Sequence, residues 1–202
     1  MDVKSLFKIT YGLYLLTANV DGKDNGCIIN TAVQVANSPD RIAVSVTKGS
    51  LTESLIARNR KFNISVISKD AQFSLFEHFG MKSGREIDKF ADFTDVKRSP
   101  NEVYYLSKWA TAYISVYVQE IVDLGSHTLF IGQMVGGEVL SESEPCTYAY
   151  YHSDIKPAPK PSVKGATGWR CTICGYEYTG EELPEDYICP LCKHPASDFE
   201  KM

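Results

Sequence analysis

The chain has 202 residues, 44% of them hydrophobic and 23% charged, the composition of a folded globular protein and not of a disordered one. Its 21 basic and 25 acidic residues give a formal net charge of −4. No apolar run approaches the roughly 18 residues that a membrane-spanning helix requires. The N-terminal stretch carries Asp2 and is interrupted by Gly12, Thr17 and Asn19. It makes a poor signal peptide, so a cytoplasmic location is expected. The charge is unevenly spread. Residues 1–165 hold 18 basic and 18 acidic side chains, and residues 166–202 hold 3 and 7. An acidic tail offers no face for phosphates, which argues against nucleic-acid binding by it.

In chain order, residues 11–20 are apolar and lead to a polar stretch at 21–26, which predicts a loop before a second strand at 27–35. Residues 41–47 alternate as a strand. Residues 51–59 predict a short helix with Leu51, Leu55 and Ile56 on one face. A strand at 61–68 follows, then a helix at 71–79 with Phe73, Phe76 and Phe79 inward. Long β-rich runs cover 111–123 and 127–139, and 146–152 reads as a last strand. Many strands with a few short helices predict a mainly β protein, an antiparallel barrel. At 153–168 the chain alternates Pro157, Pro159 and Pro161 with small or charged residues, as a semi-rigid spacer does. The expected organisation is a barrel over 1–152, a Pro-rich linker over 153–168 and a small domain over 169–202.

The tail carries two CxxC pairs, Cys171 with Cys174 and Cys189 with Cys192, separated by fourteen residues. Four thiolates so spaced suit a tetrahedral soft-metal site, zinc or iron. A segment this short needs such a staple to fold. Trp169, Tyr176, Tyr178, Tyr187 and Phe199 surround the pairs. With Cys174-Gly175-Tyr176, Cys189-Pro190-Leu191-Cys192 and the closing Asp198-Phe199-Glu200, the segment resembles rubredoxin, specifically the short rubredoxin domain of rubrerythrins. The resemblance implies one redox-active iron per chain, held by Cys171, Cys174, Cys189 and Cys192.

Upstream there is no GxGxxG motif after a strand, so a Rossmann domain is not expected. The hydroxyl-rich run Thr47-Lys48-Gly49-Ser50-Leu51-Thr52 opens the 51–59 helix, with Ser50 and Thr52 as candidate N-caps. A helix start with hydroxyls and a lysine suits an anion, although capping alone explains the same residues. Together with Asn30-Thr31-Ala32, the stretches 41–54, 78–90 and 127–135 and the closing Tyr148-Ala149-Tyr150-Tyr151, this resembles the flavin reductase-like FMN-binding split barrel, the group containing flavoredoxin. The resemblance implies a homodimer with FMN near the subunit interface. It places Asn30, Thr31 and Ala32 along the isoalloxazine, Ser45, Val46 and Thr47 along the ribityl chain, and Lys48, Ser50 and Thr52 at the phosphate. Ser83 and Lys89 fall in a loop closing over the flavin, and His127 at the flavin or nicotinamide edge.

The pairing of such a barrel with a short rubredoxin is similar to the high molecular weight rubredoxins of anaerobic bacteria. That likeness implies electrons taken from NAD(P)H and passed through FMN and iron to a redox acceptor, a flavodiiron protein reducing O2 or NO. Two alternatives stand beside it: a carrier of FMN and iron that another protein reduces, and an FMN barrel with a zinc ribbon serving as an interaction module.

Overall fold

A computed structural model describes Ser5 and residues 8–157, 168–172, 175–189 and 195–202. The chain divides into two compact units, Met1–Lys156 and Pro157–Met202.

The first unit is built on a seven-stranded antiparallel sheet in the order β2-β1-β5-β8-β9-β4-β3. Its strands are β1 (Tyr14–Val20), β2 (Lys23–Ile29), β3 (Ala32–Asn37), β4 (Asp40–Thr47), β5 (Lys61–Ile67), β8 (Ala110–Asp123) and β9 (His127–Val139). A separate hairpin, β6 (Val96–Arg98) with β7 (Tyr104–Leu106), was not anticipated from the sequence. The polar stretch at 21–26 is not a long loop. Asp21 and Gly22 take φ of 50° and 79°, a two-residue turn whose twist matches the flanking strands. Val20 therefore pairs with Lys23, and the polar residues 23–26 lie within β2. Two of them have partners that keep them there: Asp24 receives a forked bond from Arg98, and Asn25 turns inward.

Helix α1 (Leu51–Asn59) starts at Ser50, whose hydroxyl accepts the Glu53 N–H at 3.2 Å. It stops at Arg60, which turns left-handed and donates its N–H to Ile56 O. Leu55 and Ile56 on its inner face join Leu16, Val44, Val46, Phe62, Ile64, Val116 and Phe130 in one core. Each such fully buried side chain stabilises the fold by roughly 1.5–3 kcal/mol relative to exposure. A second core gathers Leu13, Leu15, Leu75, Phe76, Phe79, Leu106 and Tyr151. Helix α2 (Phe73–Phe76) runs into a π-helical turn, Glu77–Met81. Phe76 and Phe79 are buried as their spacing predicts, while Phe73 packs at the margin.

The expected last strand at 146–152 is mostly helix. Thr147 caps it, its hydroxyl accepting the Tyr150 N–H at 3.1 Å, and α3 (Tyr148–Tyr150) continues as a π-helical turn, Tyr151–Ile155. The aromatic run that mimics a strand is used instead to pack Tyr151 on Phe76 at 4.6 Å. Ser153–Ile155 of the expected linker thus belong to this turn, and its residues 158–167 lie outside the described residues.

The second unit has a three-stranded antiparallel sheet, β11 (Glu177–Tyr178), β10 (Trp169–Cys171) and β12 (Phe199–Lys201), in that order. Cys171, Cys189 and Phe199 form its buried centre, packed by Trp169, Tyr176, Tyr178, Leu183 and Tyr187. Among the described residues no helix is long and apolar enough to cross a membrane.

Candidate functional site

Alternation along β4 sends Ile42, Val44 and Val46 into the core and Ser45 and Thr47 to the opposite face. Ser45 is tied to the β2–β3 connection. Its N–H donates to Thr31 O at 3.2 Å, and the Thr31 hydroxyl donates back to Ser45 O at 2.9 Å. Thr31 thereby carries its neighbours Asn30 and Ala32 to the side of β4. One step further along, Thr47 pairs with His127 on β9, whose Nδ1 lies 3.0 Å from Ser126 Oγ. The structure thus brings Thr31, Ser45, Thr47 and His127 onto one strip, with Asn30 next to Thr31; Ala32, expected there, pairs with Val44 and packs its side chain against the core. Val46 is turned away into the core, so only its main chain is available on this side.

The strip ends at the loop leading to α1. Gly49 has φ of 79°, a conformation that a side chain strains. Lys48 Nζ lies 2.5 Å from Asp123 Oδ2. That bond, with the Gly125 N–H, holds the Asp123 carboxyl below its ordinary range. Glu53 reaches back over the loop, one carboxylate oxygen accepting the Gly49 N–H at 3.3 Å and the other the Thr128 hydroxyl at 2.9 Å. Ser50 is half-buried at the rim. Thr52 faces the interior instead, where its hydroxyl accepts the Asn25 side-chain amide.

Loop 82–88 comes against the same place. Ser83 organises it: Arg85 N–H donates to its hydroxyl, and Glu86 and Ile87 N–H to its carbonyl. Gly84 packs on Asn25 so closely that a Cβ would stand 2.0 Å from Oδ1. Arg85 Nη2 then donates to Gly49 O at 3.0 Å. Lys89 closes the base of the loop. Its ammonium is buried and donates to Gly26 O at 3.0 Å and Phe79 O at 2.9 Å, and burial lowers its pKa. His78 Nε2 sits 2.7 Å from Lys89 O. Ser83 is therefore on the exposed side of the loop and Lys89 beneath it. A cavity of about 330 Å³, lined by Lys23, Arg85, Asp88, Phe90 and Tyr104 among others, lies between this loop and the β1–β2 turn.

Sequence reasoning missed Asn25, Glu53 and Arg85. The spacing of Ser50 and Glu53 is that of a capping box, which would have found Glu53. Asn25 lay in the stretch assigned to a loop, and nothing in the local pattern singles out Arg85.

The donor set fits a flavin mononucleotide. A row of hydroxyl-bearing residues, Thr31, Ser45 and Thr47, suits a polyhydroxyl chain, and it ends where Lys48 and Arg85 supply positive charge. In the second unit Cys171 and Cys189 are fully buried within the aromatic shell. Cys171 N–H donates to Tyr176 O, and Gly175, with φ of 78°, donates to Cys171 O, which folds the first knuckle. Buried sulfur of this kind fits a soft metal such as iron. Cys174 and Cys192 lie outside the described residues.

Residues 6–159 match the flavin reductase-like domain family, and residues 169–200 the rubrerythrin rubredoxin-like domain. The chain is 38% identical to a high molecular weight rubredoxin of Moorella thermoacetica, with both chains covered in full. It is 36% identical to a ferric-chelate reductase (NAD(P)H) of Archaeoglobus fulgidus, over 75% of this chain and 89% of the relative. In fold it is similar to the NADH:FAD oxidoreductase SgcE6 of Streptomyces globisporus, with a TM-score of 0.64 at 19% identity over 70% of this chain and 83% of that one. A flavin reductase-like domain and a rubredoxin-like domain in one chain support flavin-dependent electron transfer as the activity. By its sequence, its mainly β fold and its C-terminal rubredoxin-like domain, the chain belongs to the flavin reductase-like family, in the two-domain form of the high molecular weight rubredoxins.

Proposed function

We propose that the chain is a cytoplasmic NAD(P)H oxidoreductase that delivers electrons through FMN and an Fe(Cys)4 centre to a separate redox acceptor, such as a flavodiiron reductase of O2 or NO. The observation that carries this reading is the presence in one chain of a hydroxyl-lined strip ending in positive charge and a unit whose buried sulfurs sit in an aromatic shell. Bound to these sites, FMN supplies the conversion of a two-electron hydride into single electrons, and iron a one-electron centre.

The protein's own part is positioning. Asn30, Thr31 and the main chain of Ala32 would flank the isoalloxazine, and the mutual bonds of Thr31 and Ser45 hold that edge rigid. Ser45, the main chain of Val46, and Thr47 would follow the ribityl chain. The 48–50 loop, with Ser50 at its rim and Lys48 held at its edge by Asp123, would border the phosphate, and the Ser83 loop would close over it. Thr52 and Lys89 would support the site from beneath, fixing β2 to α1 and closing the loop. His127 would stand at the edge where the nicotinamide approaches. No proton transfer by a side chain is required for hydride delivery, so holding the reacting atoms in line is the catalytic work. Cys171, Cys174, Cys189 and Cys192 would hold the iron.

The active form would be a homodimer. Val33 and Val35 on the end strand β3, with Met134, Val135 and Val139 on β9, are exposed apolar residues. Such a surface suits burial against a second copy.

Anaerobic mixing of the purified protein with NADH or NADPH, followed by absorbance, tests the reading. Flavin bleaching followed by loss of the red ferric-tetrathiolate bands is expected. An unbleached flavin would favour a carrier reduced by another protein, and a tail that never colours would favour zinc.

A further inference from the structure

Three basic side chains approach the start of α1, and the structure commits two of them elsewhere. Lys48 pairs with Asp123 at 2.5 Å. Lys89 is 3% exposed and donates to two main-chain carbonyls. Arg85 is the third. It is exposed, and the bond from Nη2 to Gly49 O uses one of the five N–H donors of its planar fork. None of the ion pairs among the described residues includes it.

The main chain of the α1 loop has less to offer an anion. Ser50 Oγ already accepts the Glu53 N–H, and the Gly49 N–H goes to the Glu53 carboxylate. That carboxylate also brings negative charge to the loop, which a bound phosphate would meet. A cation with no carboxylate of its own must offset it. We propose that Arg85, and not Lys48 or Lys89, is the side chain that recognises the phosphate of the flavin. This rests on the reading that the phosphate end lies at the 48–50 loop.

The placement is prepared in advance. The Ser83 turn, the close seat of Gly84 on Asn25 and the buried Lys89 at the base fix the loop that presents the guanidinium. Little conformational freedom is then lost on binding. A guanidinium also meets a phosphate with two parallel N–H bonds, which an ammonium cannot do.

Flavin fluorescence titrations of the full chain with FMN and with riboflavin, which lacks only the phosphate, test this. The proteins compared are wild type, Arg85→Gln, Arg85→Lys and Lys48→Gln. Arg85→Gln is expected to lose about tenfold or more in FMN affinity, the scale of a hydrogen bond to a charged group, with riboflavin affinity unchanged. Arg85→Lys should recover part of that loss, and Lys48→Gln should lose less than Arg85→Gln. Retention of the wild-type preference for FMN by Arg85→Gln overturns the proposal, as does a larger loss in Lys48→Gln. Equal loss of FMN and riboflavin binding in Arg85→Gln overturns it too, because the residue would then serve the loop and not the phosphate. A wild-type protein that binds riboflavin as tightly as FMN would instead overturn the underlying reading of the phosphate end.

Discussion

Asn25 donates its side-chain amide to the Thr52 hydroxyl across 2.9 Å, and both residues are buried, so this bond ties β2 to the first turn of α1. Thr52→Val keeps the shape and leaves a buried N–H without its acceptor. A loss of about 1–3 kcal/mol is expected, read as a lower urea midpoint at constant m-value. FMN and riboflavin affinities should then move together. A selective loss of FMN binding would instead make Thr52 a phosphate contact.

Stability should fall in alkali for a reason located at Cys146. Burial pushes this thiol from 9.0 up to about 11. Between those values the unfolded chain has released a proton that the folded chain retains, so stability declines as pH rises from about 9 to about 11 and does not depend on this group below that window. Tyr151, pushed by burial from 10.0 up to about 12, adds a decline of the same sign at higher pH. Urea unfolding at pH 8, 9, 10 and 11 should show a shallower decline in Cys146→Ala than in wild type, whatever the absolute stability of the variant.

Cys174→Ser should abolish iron-dependent colour while the barrel keeps its flavin and its reduction by nicotinamide. The compact units divide near Lys156, and their cores share no residue. Absorbance, iron content and anaerobic bleaching, measured on one preparation, check this. Simultaneous loss of flavin and iron would show that the units depend on one another.

The double substitution Val33→Glu/Val35→Glu places two like charges on the exposed apolar strand β3. Size-exclusion chromatography should show it at half the apparent mass of the wild-type protein. If the dimer also completes the flavin site, FMN affinity falls in the same variant. Unchanged elution would remove β3 from the interface.

The elements that announce themselves by local pattern were legible. The strand at 41–47, the helix at 51–59 and the long strand at 127–139 follow from alternation, from an amphipathic face and from a hydroxyl cap. The failures share a cause: a local signal was overridden, or needed a distant partner. Residues 23–26 look like a loop, but the two-residue turn at Asp21-Gly22 forces them into β2, where Arg98 and Thr52 satisfy Asp24 and Asn25. Residues 146–152 look like a strand by their aromatics, but Thr147 starts a helix there. At the site, the outward face of β4 was readable from its period. Val46 sits on the other face of that strand, and the same period predicts its burial. The division of labour among Lys48, Arg85 and Lys89 was not readable, because Asp123, Gly49 and Phe79 are brought to them only by folding.

The tie at the base of loop 82–88 is made by a cation to two carbonyl dipoles, sealed from solvent. Ions in the buffer reach such a contact poorly, whereas they screen the open pair of Lys48 and Asp123 and any anion held by exposed Arg85. Raising ionic strength should therefore loosen the grip on a phosphate while the loop itself stays shut. A rising dissociation constant for FMN with an unchanged unfolding midpoint would be the signature of a clasp whose hinge is indifferent to electrolyte and whose fingers are not.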